Sequence, residues 1–175
     1  MAATDPHPGE PDPAKTTRRR RIALAWLFVF LWAGVIWTLG GDDYSLQETS
    51  RFLSPVIEFI FGELDGPKKW RIYLAVRKSA HFVEYAILAL LTFRAALISA
   101  PRNRVATAAW TALFLVALVA TADEARQAFS TARTGSANDV LIDVTGGLVA
   151  VGAMLLIGRR LRGPRDASTN ASTNA

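Results

Sequence analysis

The stretch AHFVEYAILALLTFRAALIS occupies residues 80–99, and its ionisable side chains stand only towards its two ends. His81 and Glu84 lie near the start and Arg94 near the end, with an uncharged, largely apolar run between them. A helix of about 20 such residues, rising about 1.5 Å per residue, crosses a hydrocarbon core of roughly 30 Å. The stretch therefore predicts a transmembrane helix and an all-α fold.

Three further apolar runs have similar lengths, at residues 22–39, 105–122 and 140–158. The chain has 175 residues, of which 51% are hydrophobic and 20% charged, and its mean hydropathy is +0.21. The hydrophobic and the charged residues are segregated into separate segments of the chain. This arrangement is typical of a small polytopic membrane protein. We predict a bundle of four transmembrane helices over these runs.

The remaining segments are polar or amphipathic. Residues 40–79 form the longest connection, and LSPVIEFIFGEL and WRIYLAVRK within it have apolar faces at helical spacing. We expect one or two amphipathic helices there, lying on the outer membrane surface. The other segments are predicted as a basic, disordered N-terminal tail (1–21), an outer polar loop (123–139) and a basic, disordered C-terminal tail (159–175).

Clusters of Lys and Arg adjoin the apolar runs, and with four crossings they fall on one side of the membrane. Basic residues mark the cytoplasmic side of a membrane protein. The sequence therefore predicts a multi-pass protein of the plasma membrane with both termini cytoplasmic and with segments 40–79 and 123–139 outside. The clusters are Lys15 with Arg18 to Arg21, then Arg94, Arg102 and Arg104, and finally Arg159, Arg160, Arg162 and Arg165.

The composition also limits the partners and the chemistry. The chain has no cysteine, which excludes disulfides and thiolate zinc sites. Its net charge of +5 comes from basic residues beside apolar runs and not from a surface with interleaved aromatics. We therefore predict membrane lipids as partners and no nucleic acid.

Polar side chains gather where three of the apolar runs meet the outer connections. Spacings of three and four residues place the members of each set on one helix face, so all sets are expected to meet at one depth near the outer leaflet. They are Lys78, His81, Glu84 and Tyr85 around the second run, Asp123, Glu124 and Gln127 after the third, Arg133 in the loop, and Asp139 and Asp143 at the fourth.

Two of these acids, Glu84 and Asp143, lie inside the apolar runs. A charged acid in hydrocarbon costs roughly 2.5–3.5 kcal/mol on insertion scales unless it is paired or faces water. We therefore expect both to point into the bundle, towards Lys78, His81 or Arg133. The face that carries Asp143 continues through small residues that allow close helix approach, namely Gly146, Gly147 and Ala150.

Residues 77–158 resemble the VanZ-like family, which is named for a teicoplanin-resistance protein. The family pattern has K-x-x-H-x-x-E-Y at the start of one helix and D-E-x-x-Q at the end of the next. R-x-G-x-x-x-D follows in the loop, and D-x-x-x-N-x-x-G opens the last helix. This chain has Asp143 where Asn is usual. The other matching residues are Lys78, His81, Glu84, Tyr85, Asp123, Glu124, Gln127, Arg133, Gly135, Asp139, Gly146 and Gly147.

The resemblance implies a small integral membrane protein of about four spans in the bacterial cell envelope. It implies that some relatives lower susceptibility to glycopeptide antibiotics, teicoplanin in particular, and it implies no agreed biochemical mechanism. The mechanism has to be argued from the residues.

Several interpretations of the polar set remain open. It can be a purely structural network that locks three helices in register. It can instead bind a ligand at the outer leaflet, where Arg133 and Lys78 engage a phosphate or carboxylate of a phospholipid, a lipid-linked cell-wall precursor or the lipid-tailed antibiotic itself. We favour the binding interpretation, which requires no cofactor and no metal ligand.

A membrane-embedded enzyme is the third interpretation, acting on an envelope lipid or glycan. Its candidate catalytic residues are His81 and Glu84 as an acid/base pair, with Asp123 or Asp139 orienting the imidazole. The same side chains could alternatively hold one divalent cation. An ion pathway is the least supported interpretation, because the first and third runs have no ionisable residue in their middles.

Overall fold

The computed structural model describes residues 12–41, 46–100, 104–129 and 136–162. Within these ranges it contains five helices and no strand, which confirms the predicted all-α fold. The helices are α1 (Pro13–Leu39), α2 (Leu46–Phe61), α3 (Gly66–Ser99), α4 (Val105–Ala128) and α5 (Ala137–Arg162).

Four of these helices are long and apolar enough to cross a membrane: Pro13–Leu39, Gly66–Ser99, Val105–Ala128 and Ala137–Arg160. The fifth, α2, is the amphipathic helix of the long connection. It ends at Gly62, whose φ of 72° allows the chain to leave the helix while its N–H donates to the Glu58 carbonyl at 2.9 Å. The predicted bundle of four spans with one amphipathic segment is confirmed.

The central helix of the bundle is α3, which contacts each of the other four helices. Its buried side chains include Tyr85, Leu88 and Phe93, and they pack against small residues of α4 such as Ala112 and Ala120. α1 packs on α3, where the Trp32 indole N–H donates to the Glu84 carbonyl at 2.9 Å. This core packs the middle of α3 against α1 and α4.

Two adjacent glycines allow α5 to approach α3 and α4 closely. A Cβ at Gly146 would lie 2.3 Å from the Phe82 backbone oxygen, and one at Gly147 would lie 3.0 Å from Val116 Cγ1. Any side chain at Gly146 would therefore force α3 and α5 apart. The predicted role of these small residues is confirmed, and it explains how Asp143, one turn earlier on α5, comes to face α3.

The outer faces of the spans carry large apolar side chains. Phe30 on α1 and Trp110 and Phe114 on α4 are 67%, 73% and 70% exposed. Soluble monomers rarely expose apolar patches of this extent, whereas hydrocarbon tails solvate such side chains well. The surface therefore fits a lipid environment.

The first span begins earlier than the sequence predicts, because residues 13–21 are helical and not part of a disordered tail. Asp12 caps the helix by accepting from the Ala14 N–H at 2.9 Å, and Pro13 occupies its first position. Both are strong helix-start signals. The basic residues of this segment therefore lie on helical turns that extend the first span.

The second span is also longer than predicted, since α3 starts at Gly66 and not near residue 80. WRIYLAVRK is therefore the first part of α3 and not a separate surface helix. Asp65 accepts from the Lys68 N–H at 3.0 Å and Pro67 lies in the first turn, so DGPKK starts a helix that continues without interruption into the predicted second span.

The polar loop between α4 and α5 is shorter than predicted. α4 continues to Ala128 and α5 begins at Ala137, so residues 123–128 and 137–139 of the predicted loop are helical. The extension of α4 is supported by side-chain bonds from Asp123 to residues one turn later. Residues 159–162, predicted as tail, likewise belong to α5.

Candidate functional site

One end of the bundle, which we name the polar end, collects the C-terminal ends of α1 and α4 and the N-terminal parts of α3 and α5. The structure brings together there all the predicted site residues that it describes; Arg133 lies outside the described residues. They are Lys78, His81, Glu84, Tyr85, Asp123, Glu124, Gln127, Asp139 and Asp143.

An ion pair joins α3 to α5 at the rim of the polar end. Lys78 Nζ lies 3.0 Å from Asp139 Oδ1, and both side chains are partly exposed. Exposed or half-exposed pairs contribute roughly 0–1 kcal/mol to stability. The pair therefore positions a cation and an acid more than it holds the helices together.

Deeper in the same interface, His81 stands between two acids. Its Nδ1 lies 3.8 Å from Glu84 Oε2 and 3.8 Å from Asp143 Oδ1. These separations are within ion-pair range but too long for hydrogen bonds. Asp143 is only 1% exposed, so the expectation that it turns into the bundle towards His81 is confirmed.

A second cluster closes the polar end on the α4 side. Asp123, 1% exposed, accepts hydrogen bonds from Arg126 Nη2 at 2.6 Å and Gln127 Nε2 at 2.7 Å. The predicted one-turn relation of Asp123 and Gln127 is confirmed. Glu124 accepts from the Ser136 backbone N–H at 2.7 Å, which ties the end of α4 to the start of α5.

Arg126 is the main member of this cluster that the sequence prediction missed. It donates to the Trp37 carbonyl at 3.1 Å, and its guanidinium carbon lies 4.6 Å from the centroid of the Trp37 ring. It thereby ties α1 to Asp123. Its place three residues after Asp123 was a visible signal, but only the packing of α1 reveals the partner at Trp37.

Gly40 makes this approach of α1 possible. A Cβ at that position would lie 2.4 Å from Asp123 Oδ1 and 2.6 Å from Arg126 Nη2. A side chain at position 40 would displace the ends of the Asp123 and Arg126 side chains, so glycine lets the end of α1 lie directly on this pair. The connection that follows starts at the edge of the site.

Two buried oxygens at the polar end have no hydrogen-bond partner among the described residues: the Tyr85 hydroxyl and Asp143 Oδ1. Tyr85 has no exposed surface. Buried polar atoms of folded proteins are nearly always hydrogen-bonded. Two unpartnered oxygens in one cluster therefore mark a place suited to a further polar group.

A small cavity of about 50 Å³ opens beside Asp143. It has room for one or two water-sized groups, so a headgroup oxygen or a single phosphoryl corner fits and a whole headgroup does not. Both signs of charge lie on its walls, which suits a ligand with acceptors and donors close together. Its lining is Leu74, Arg77, Lys78, His81, Asp139, Ile142 and Asp143.

Among the described residues, no three His, Asp or Glu side chains form a set with metal-binding geometry.

A protein-family model described as VanZ/LLP1 matches residues 22–158, well over half of the 175-residue chain. The match covers α2, α3 and α4, most of α1 and α5, and the whole polar end. No curated protein and no solved structure showed significant similarity to the chain.

Proposed function

The chain belongs to the VanZ/LLP1 family, and on that basis we propose that it is a multi-pass protein of the bacterial plasma membrane whose polar end binds an anionic, lipid-linked ligand of the cell envelope. Phospholipid headgroups and lipid-linked cell-wall precursors share the required chemistry, a phosphate next to hydrogen-bonding groups and an acyl or prenyl chain.

The proposed orientation places the polar end at the outer leaflet and both termini in the cytoplasm. Its support is the charge of the opposite end, where Arg18 to Arg21, Arg94 and Arg159 adjoin the spans. A site at the outer leaflet meets envelope ligands that move laterally in the membrane.

The observation that carries the proposal is a pair of buried oxygens that have no hydrogen-bond partner among the described residues, the Tyr85 hydroxyl and Asp143 Oδ1. Asp143 also lines a small cavity together with Arg77 and Lys78. A network with only a structural role would be expected to satisfy its own buried members, because each unmet bond costs stability. The Tyr85 hydroxyl is suited to donate to a phosphate or sugar oxygen, and Lys78 is suited to pair with the phosphate charge.

Reduced susceptibility to teicoplanin is the phenotype we propose for this site. Its support is the family membership and the depth of the site, since an antibiotic with a lipid tail works at the same membrane surface as lipid-linked precursors.

The test compares Lys78→Ala with Lys68→Ala in a glycopeptide-susceptible bacterial host. Both lysines lie on α3 and pair with an acid, Lys78 with Asp139 and Lys68 with Asp65, each at 3.0 Å. We expect both variants to reach the membrane at the wild-type level and elute as one species in detergent, because half-exposed ion pairs contribute little to stability.

We further expect the wild-type chain and Lys68→Ala to raise the inhibitory concentration of teicoplanin but not of vancomycin, and Lys78→Ala to abolish the effect. Unchanged protection with Lys78→Ala contradicts the binding site. A wild-type chain without protection contradicts the teicoplanin phenotype, and loss of Lys78→Ala from the membrane supports a structural network.

An enzyme acting on an envelope lipid or glycan is the second candidate, and one observation favours it. His81 Nδ1 is equidistant from the carboxylates of Glu84 and Asp143, at 3.8 Å, and its ring lines the cavity. A histidine poised between two acids is suited to proton transfer. Glu84→Gln would then stop turnover of an envelope lipid by purified protein in vesicles, whereas a binding site shows no turnover with either chain.

A further inference from the structure

The end of the bundle opposite the polar end, which we name the basic end, contains a cleft between α1 and α3. Its volume is about 550 Å³, within the range of roughly 300–1,000 Å³ typical of ligand sites. Three arginines stand along it, Arg18 and Arg21 from α1 and Arg94 from α3. The remainder of its lining is entirely aliphatic or aromatic, including Phe28 and Leu91.

The lining residues follow helical spacing on both sides. On α1 they include positions 18, 21, 22, 25 and 28, and on α3 positions 91, 94 and 98. Each set is one face of its helix, so at about 1.5 Å per residue the cleft runs for about 15 Å along α1 and about 10 Å along α3. It is a slot parallel to the two helices and not a shallow dish at the surface.

All the charged side chains that line the slot are basic. At the basic end Asp12 is the only acid among the described residues, and it pairs with Lys15 at 3.6 Å. Within the described part of the chain, the arginines of the slot therefore have no carboxylate to neutralise them. Among these described residues, Arg18 donates to the Ser99 carbonyl at 3.3 Å, and this contact holds the mouth of the slot against the end of α3.

A ligand of this slot needs an anionic group for the arginines and a long apolar chain for the walls. We propose that the slot is a binding site for one anionic glycerophospholipid of the leaflet at the basic end. The phosphate lies between Arg21 and Arg94, and one acyl chain lies along Phe28 and Leu91. Planar guanidinium groups bind phosphate through paired hydrogen bonds, and basic pockets between membrane helices bind such headgroups.

The bound lipid would also complete the packing of α1. This helix has only two buried side chains, Val29 and Ile36, both beyond the slot. Its first turns meet α3 through Arg18 at Ser99 and through the Trp26 indole, which donates to Ser99 Oγ at 3.1 Å. An acyl chain in the slot fills the space that the two helices leave beside these contacts. The site is separate from the polar end and does not depend on the function proposed there.

The test uses the full chain, delipidated in a neutral detergent and titrated with dioleoyl phosphatidylglycerol. Native mass spectrometry gives the stoichiometry and the dissociation constant. Two further probes identify the features recognised: dioleoyl phosphatidylcholine has the same chains without net charge, and glycerol 3-phosphate has the phosphate without chains. The variants are Arg21→Gln with Arg94→Gln, and the matched control is Arg19→Gln with Arg20→Gln, two exposed arginines of α1 outside the slot.

We expect one tightly held phosphatidylglycerol per chain, with much weaker binding of the other two probes. The slot variant should bind roughly 30-fold more weakly, at about 1 kcal/mol for each of the two arginines, and the control, whose arginines do not line the slot, should stay within about twofold of wild type. Circular dichroism checks that both variants keep their helices, and each single substitution is measured beside its pair.

Three results would overturn the proposal. Equal loss in the slot variant and the control means that the lipid responds to diffuse positive charge and not to a site. Equal binding of phosphatidylcholine means that the arginines do not recognise the charge of the headgroup. Competition by glycerol 3-phosphate at the lipid's own concentration means that the slot binds free phosphate and the apolar walls contribute nothing.

Discussion

His81 on α3 faces Asp143 on α5, and the His81 Nδ1 lies 3.8 Å from Asp143 Oδ1. The acid is 1% exposed, and Gly146, one turn later, brings the two backbones together. The resemblance described above implies Asn at this position, whereas this chain has the ionisable Asp143. The consequences for stability can be measured directly.

Asp143→Asn should preserve the fold and leave the melting temperature in detergent equal to or above that of wild type. A buried carboxylate costs roughly 2.5–3.5 kcal/mol on insertion scales when it is not fully paired, and an amide of the same shape avoids most of that cost. His81→Ala should destabilise the wild-type chain more than it destabilises Asp143→Asn. We expect a coupling of about 0.5–2 kcal/mol in the double-mutant cycle, and strict additivity would show that the two side chains do not interact.

Gly146→Ala should lower the free energy of unfolding by about 1–3 kcal/mol, as overpacking does, because its Cβ would meet the Phe82 backbone oxygen at 2.3 Å. Gly152→Ala is the control on the same helix, where an added Cβ meets nothing within 4 Å. It should be neutral or stabilising by about 0.4–1 kcal/mol. Equal effects of the two substitutions would mean that α5 does not pack on α3 at Gly146.

Arg126→Gln should destabilise the chain by about 1–3 kcal/mol, because it leaves the buried Asp123 without its charged donor. It also removes the link from α4 to the Trp37 carbonyl of α1. Lys68→Gln breaks an exposed pair with Asp65 on α3 and should change stability by at most about 0.5 kcal/mol. Thermal unfolding followed by circular dichroism compares the two. An Arg126→Gln variant as stable as wild type would contradict the contacts of Arg126 with the buried Asp123 and with Trp37.

Attachment of α2 to α3 should weaken in acid. Lys69 donates to Glu58, and this hydrogen bond, with the charge of Lys69, lowers the pKa of Glu58 from its ordinary 4.5. A group whose pKa is lowered by folding stabilises the folded state above its unfolded pKa and stops doing so as pH falls through its folded pKa. The contact should therefore persist from neutral pH to about 4.5 and be lost below it.

Spin labels on α2 and α3 report this distance as pH is lowered. Glu58→Gln is the control, and it should show no step in the same window. A step that persists in Glu58→Gln would assign the acid response to another group.

The sequence predicted the four spans and which polar residues share a face of one helix, because both follow from periodicity. The run from Tyr85 to Phe93 and the spacing of Asp123 and Gln127 each lie on a single helix. It mispredicted where helices begin and end. Asp12 and Asp65 are N-caps, and each starts its helix through a side-chain hydrogen bond to the first turn. The Pro and Gly residues beside them are also typical of turns, so the sequence alone did not distinguish a helix start from a turn.

Relations between helices were beyond the sequence for a different reason. Arg126 meets Trp37 only because Gly40 lets α1 end on α4, and nothing in the spacing of either segment encodes that. The unpartnered hydroxyl of Tyr85 is likewise visible only once its neighbours are in place. Arg133, which the resemblance singles out, remains a prediction because it lies outside the described residues.

The central claim, that the polar end is a ligand site and not a structural lock, is tested most directly by Tyr85→Phe. The substitution removes one buried oxygen that has no partner among the described residues. Thr92→Val is the matched control, since it removes another unpartnered buried hydroxyl from α3 about two turns away. Neither change should lower the melting temperature, because neither breaks a bond within the described part of the chain.

Teicoplanin susceptibility of the three chains in one host then gives the answer. We predict that Tyr85→Phe accumulates and melts like wild type yet loses protection, while Thr92→Val retains both. If Tyr85→Phe keeps full protection, the hydroxyl contacts no ligand. If it loses stability together with protection, the oxygen belongs to a structural network, and the binding site is contradicted.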